Sequence, residues 1–313
     1  MRIRPARALL AASSVALLAA TAAPAHADAG VQQDPPNWGL DRIDQREGGD
    51  QLDQRYHYAG DGEGVTVYVI DSGVDGTHPD FGGRVSGGKD FVDGDEHPVD
   101  LNGHGTSLAG VAAGQAHGVA KAARVVPVRV LDQDGGGNGL SVLAGIDWVA
   151  NNARQPAVAV IGIGGPASEV VDEAVRGLAE VMPVAVPAGG TNSDAGQSSP
   201  GRVPEVLTVG ASDRTDAVVP DSNFGAAVDL YAPGADVLAP ALRGGTSELT
   251  GTSVAAAHVA GVAALYRAAH PDATPQQVTE AIVAGATPDG LTGVRDGTAN
   301  RVLHAGPVPA GGR

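Results

Sequence analysis

Four runs in this chain, VTVYVI (65–70), VVPVRVL (125–131), AVAVI (157–161) and PVAV (183–186), are apolar on almost every residue. A strand with one face in water alternates apolar and polar residues, so these runs demand cover on both faces. They place strands near 65–70, 124–131, 157–163 and 182–188, and EVLTVGA adds a fifth near 205–211. Helical patterns fill the intervals near 140–153, 168–181 and 253–269. Strands alternating with helices in this way predict an α/β fold, with a mostly parallel central sheet and helices on both faces. A last helix is announced by ATPQQVTEAIVAGA, where Thr274 can cap, Pro275 suits the first helical position and Gln277 completes a capping box.

The 313 residues, 42% of them hydrophobic, can bury a core in one large domain or two small ones. At the start, Arg2, Arg4 and Arg7 precede the apolar stretch ALLAASSVALLAA and then PAHA. That order predicts a secretory signal peptide over 1–27, cut after Ala27 and too short in its apolar part to span a bilayer. Without those three Arg, the formal charge goes from −16 to −19, which argues against nucleic acid or an anionic membrane as a partner. The chain has no Cys, so disulfides, thiolate catalysis and Cys-ligated zinc are excluded together. A secreted chain without crosslinks relies on its core or on a bound ligand such as calcium.

In parallel sheets, ligands bind beyond the carboxyl ends of the strands. Asp71 follows the first run, Gly162 and Gly164 the third, and Gly189 and Gly190 the fourth. Alone, Asp71 reads as a turn acid, His104 in NGHGTSLAG as a loop His before a helix, and Ser253 in LTGTSVAAAHVAG as a helix cap. Together they supply an acid, a base and a hydroxyl, each beside Gly. A Ser hydroxyl becomes a nucleophile when an imidazole takes its proton, and a buried carboxylate fixes the tautomer of that imidazole.

The segments YVIDSGVDGTHPDF, LNGHGTSLAGVAAG and LTGTSVAAAHVAG resemble the three signature segments of the subtilisin-like serine proteases. Their order, Asp then His then Ser, is the one known for subtilisin itself. The likeness runs over residues 37–306 and is greatest to the proteinase K branch. It implies a subtilisin-like three-layer fold and a secreted serine endopeptidase, with Asp71 orienting, His104 as base and then acid, and Ser253 attacking. It implies a peptide or unfolded-protein substrate lying as an added strand between Gly135, Gly136 and Gly137 on one edge and Gly162, Ile163 and Gly164 on the other. Gly-lined edges leave little to select side chains. The resemblance also implies a Ca2+ held by Pro204 and Val206 carbonyls and Asp229, and a monomer without an organic cofactor.

Several positions depart from the family pattern. PAGG stands for AAGN, putting Gly190 where an Asn donates to the oxyanion. Gly162 replaces Ser in SLGG, Val254 and Ala257 replace Met and Pro after the nucleophile, and Ser107 replaces the second His of HGTH. Residues 28–36 read as a short linker with no room for a folded prodomain, and 307–313 as a flexible tail. These departures keep open a secreted pseudoprotease that binds peptides or protein partners with little cleavage.

Two short motifs are set aside. Gly162, Gly164 and Ala167 match a dinucleotide fingerprint, but VMPVAVPAGG ends without the acid that holds a ribose hydroxyl. LDQDGGGNG spaces its acids like a calcium loop and lacks the closing Glu.

Overall fold

The structure, a computed structural model, describes residues 30–306, so the signal-peptide and tail readings lie outside the described residues. Its strands are β1 (Gly30–Gln33), β2 (Arg55–Tyr58), β3 (Thr66–Asp71), β4 (Lys89–Asp90), β5 (Arg124–Arg129), β6 (Ala157–Ile161), β7 (Gly165–Pro166), β8 (Val184–Pro187), β9 (Ser198–Ser199), β10 (Leu207–Ser212), β11 (Leu230–Pro233), β12 (Val237–Pro240), β13 (Thr246–Leu249), β14 (Thr287–Pro288) and β15 (Arg301–Val302). The helices are α1 (Trp38–Ile43), α2 (His104–Ala113), α3 (Gly139–Asn152), α4 (Glu169–Val181), α5 (Thr252–Ala269) and α6 (Pro275–Gly285).

Nine strands form the central sheet in the order β14-β15-β11-β10-β8-β6-β3-β5-β4. All neighbours pair in parallel except β14 with β15. The apolar runs divide their side chains between two cores. Val67 and Val69 of β3 and Val158 and Val160 of β6 face α2 and α5, whereas Tyr68, Ile70, Ala159 and Ile161 face α3 and α4. Burial on both faces thus produces the three layers. Small residues in α5, such as Ala256, Ala260 and Gly261, let it lie close against the sheet and α2. The capping box at Thr274 forms as the sequence predicts.

Two expectations change. Residues 30–33 are not free linker, because β1 pairs antiparallel with β2, from Gly30 opposite Tyr58 to Gln33 opposite Arg55. The third run ends at Ile161 rather than 163, since residues 162–164 leave the ladder and β7 pairs with β9 instead.

The N-terminal helix is tied to α5 by a buried polar contact. Asn37 caps α1 through Oδ1, which accepts from Gly39 N at 2.9 Å, while its Nδ2 donates to His258 Nε2 at 2.9 Å. His258 Nδ1 lies 3.0 Å from the Val254 carbonyl, which can only accept. The ring is therefore the neutral Nδ1–H tautomer, and burial pushes its pKa down to about 4.

A His with a depressed native pKa stabilises the fold fully above its unfolded value and loses that contribution as pH falls toward the native one. Urea unfolding should show stability falling between pH 6.5 and about 4, with about 3 kcal/mol from His258 at the order-of-magnitude level. His258→Gln should flatten that slope. An unchanged slope in the variant would place the acid sensitivity elsewhere.

Candidate active site

Asp71 is the last residue of β3, His104 the first of α2, and Ser253 the second of α5. The Asp71 side chain is fully buried, its Oδ1 accepting from Ser72 N at 2.7 Å. His104 Nδ1 lies 2.9 Å from each Asp71 oxygen. A carboxylate only accepts, so Nδ1 carries the proton and Nε2 presents a lone pair. Burial lowers the His104 pKa, but the charge and hydrogen bonding of Asp71 and the charge of Asp100 outweigh it, and the net result lies above the ordinary 6.5.

Ser253 is not a helix cap. Gly251 occupies the cap position of α5, and the Ser253 hydroxyl donates to the Gly162 carbonyl at 3.0 Å. The sheet edge that follows β6 therefore holds the hydroxyl directly. A side chain at Gly162 would collide with Asp71 Oδ2 and Leu108 Cδ1, so the glycine is what allows this segment to pass against the carboxylate.

The two expected edges meet across one cleft. Gly135, Gly137, Gly162, Ile163 and Gly164 line a cavity of about 700 Å3 that reaches His104. Gly136 turns aside, because its carbonyl accepts from Asp132 N and its N–H donates to Asp132 Oδ1, both at 2.8 Å. Asp132 is thus satisfied within its own loop, and among the described residues no group of three or more acids and His is arranged for a metal.

The profile of the subtilase family matches residues 62–304. The chain belongs to that family. It is 45% identical over 269 residues to a protein named alkaline serine exoprotease A from Vibrio alginolyticus, covering 86% of this chain and 50% of the relative. It is 44% identical over 260 residues to an extracellular serine proteinase of Thermus sp. (strain Rt41A), covering 82% and 63%. A solved cold adapted subtilisin-like serine proteinase superposes with a TM-score of 0.84 at 45% identity, covering 86% of this chain and 97% of that one. The chain spans about half to two thirds of the length of these curated relatives.

Within this subtilase, Gly190 has nothing within 4 Å of where a Cβ would stand, and its φ is not left-handed, unlike that of Gly189 at 107°. Asn192, two positions on, is held on the surface. It is exposed, and its Oδ1 accepts from Arg295 Nη2 at 2.7 Å. Ser107, in place of a second His, is buried and donates its one hydroxyl proton to the Pro240 carbonyl at 2.7 Å, with the Gly103 carbonyl 3.1 Å away, tying α2 to β12. Val254 and Ala257 are buried in α5. Asp229 Oδ2 accepts from Thr208 N at 2.8 Å, and burial pushes its pKa up to about 6.

Sequence reading missed Asp100 and Ser72. Asp100 is buried, and its Oδ1 accepts from Ser72 Oγ, Asn102 N and Gly103 N at 2.9, 2.9 and 2.8 Å. Its Oδ2 accepts from Thr106 N and Oγ1 at 2.9 and 2.6 Å. Ser72 Oγ also accepts from Gly105 N at 3.0 Å. This network fastens the start of α2 to the end of β3, where no cap residue does so, and sets His104 against Asp71.

The imidazole of His104, followed by NMR, should titrate above pH 6.5. Asp71→Asn should lower its pKa most and Asp100→Asn less, since each removes a negative charge that favours the imidazolium. A value below 6.5 in the wild type would contradict the geometry.

Proposed function

We propose that this subtilase is a secreted serine endopeptidase that cleaves extended peptide or unfolded protein through Asp71, His104 and Ser253, with weakened oxyanion stabilisation. The observation that carries the reading is the 2.9 Å approach of His104 Nδ1 to both oxygens of the buried Asp71, at a sheet edge shared with Ser253. The extracellular name of the Thermus relative agrees with the leader-like first 27 residues, and no described helix is long and apolar enough to cross a membrane.

In the reaction, Ser253 Oγ leaves the Gly162 carbonyl for His104 Nε2, a side-chain rotation that substrate binding drives. Unliganded hydrogen bonds of this kind commonly tighten only in the complex. Nε2 then takes the hydroxyl proton as Oγ bonds to the scissile carbonyl carbon. Asp71 holds the tautomer and stabilises the imidazolium without itself taking the proton. His104 returns the proton to the departing amine, and a water repeats the cycle on the acyl ester. The Ser253 N–H at the start of α5 faces the developing oxyanion, helped by the helix dipole. Gly190 adds no side-chain donor. For subtilisin itself, losing this donor costs about 10²–10³ in kcat.

A second reading, a peptide-binding pseudoprotease, is favoured by the Ser253 hydroxyl resting on Gly162 rather than His104 and by Gly190. Casein or a chromogenic peptide separates the two. The endopeptidase reading expects turnover that Ser253→Ala abolishes, and binding without turnover in the wild type would establish the other. Open space at residue 190 lets Asn enter without strain, so Gly190→Asn should raise kcat by about 10-fold or more with a smaller effect on KM. If Gly190→Ala gives the same gain, a backbone effect and not a missing donor is responsible.

A Ca2+ held by the Pro204 and Val206 carbonyls and Asp229 belongs to the same reading. It is supported by an all-oxygen donor set, with Asp229 Oδ1 making no hydrogen bond among the described residues. The ion would add stability by binding only the native state. Calcium should raise the unfolding midpoint relative to chelator in the wild type and not in Asp229→Ala. Equal midpoints in the wild type would remove the ion from the account.

A further inference from the structure

His104 borders two cavities. The first, about 700 Å3, runs between the Gly135–Gly137 and Gly162–Gly164 edges and has no charged side chain in its lining apart from His104. The second, about 540 Å3, opens on the other side, bounded by Ser107, Leu242, Arg243, Ser247 and Leu249. Only Asn102 and His104 line both. The acyl half of a peptide lies along the two glycine edges, so the amine that His104 protonates departs toward the second cavity.

From this placement we infer that the second cavity receives the leaving-group residues of the substrate and that Arg243 selects an acidic side chain there. The inference rests on the proteolytic reading above. Arg243 is the one charged side chain in that lining besides His104. It is exposed, and its guanidinium has no ion-pair partner among the described residues. Its backbone is left-handed, with φ 63° and ψ 32°, a conformation a non-glycine residue holds at a cost. Asp75 secures it: Oδ2 accepts from Arg243 N at 3.0 Å, and Oδ1 is taken by Thr77 N and Oγ1 at 3.1 and 2.6 Å. Asp75 thus contacts Arg243 through the backbone N–H, and its carboxylate makes no ion pair with the guanidinium. Glu248, exposed on β13 between the lining residues Ser247 and Leu249, makes no ion pair among the described residues. A guanidinium binds carboxylates through paired N–H donors, which an ammonium cannot reproduce. In a chain with formal charge −16, this cation reverses the general repulsion of acidic peptides at one point.

Internally quenched peptides that differ only in the first or second residue after the scissile bond test this. At low salt the wild type should prefer Glu to Gln by about 3- to 10-fold in kcat/KM, and the preference should shrink in high salt. Arg243→Asn, which tolerates the left-handed backbone, should erase it; Arg243→Lys should keep part of it, and Arg243→Glu should favour Lys peptides instead. Cleavage with the same Glu-to-Gln ratio in wild type and Arg243→Asn would overturn the inference. If nothing is cleaved, the proteolytic reading fails, and fluorescence anisotropy with the same peptides decides the subsite by itself. Tighter binding of the Glu peptide to wild type and not to Arg243→Asn supports it, and equal binding overturns it.

Discussion

A carboxylate withdrawn from water is tolerable only when donors surround it, and Asp71 at the end of β3 has two, Ser72 N and His104 Nδ1. The buried network of Asp100 and Ser72 keeps the second of these in place. The parallel sheet fixes Asp71 by burying β3 on both faces, and α2 brings His104 over it. Because the cap position of α2, Gly103, has no side chain, the first-turn N–H groups of His104, Gly105 and Thr106 are taken by Asn102, Ser72 and Asp100. That buried acid binds the loop, Thr106 and Ser72 at once, so the helix start and the strand end move as one body.

The glycines around the cleft have different physical reasons. Gly162 packs tightly, since a side chain there would require Asp71 and Leu108 to shift. Gly135 and Gly137 line the cleft wall, while Gly136 belongs to the Asp132 turn. Gly190 answers to no steric demand, since a Cβ there would meet open space. The site thus combines an acid and base held by a buried hydrogen-bond network with open space at Gly190.

The sheet was legible because strands buried on both faces write an unbroken apolar run, and the Thr274 helix because its capping box is local. The meeting of Asp71 and His104 was legible through two motifs, each next to a turn, and a third put Ser253 at a helix start. Asp100 was not, since DLNGHG holds one acid among many in this acidic chain, and its partner Ser72 lies 28 residues away. The significance of Gly162 could not be read either, because a missing side chain shows its reason only when the neighbouring atoms are known. Strand β1 escaped notice because GVQQ alternates weakly and finds its partner only at residues 55–58. Ser253 as a cap followed the usual preference of helix starts, yet the hydroxyl lies with Gly162.

The central claim is that Ser253 Oγ is a nucleophile activated by His104 and Asp71. Treatment with a fluorophosphonate, which phosphonylates an activated serine with loss of fluoride, followed by peptide mass spectrometry, tests it most directly. The account predicts a single adduct on Ser253, forming faster as pH rises through the His104 titration and strongly slowed in Asp71→Asn. A folded wild-type protein that stays unlabelled, or that labels on another residue, would contradict it.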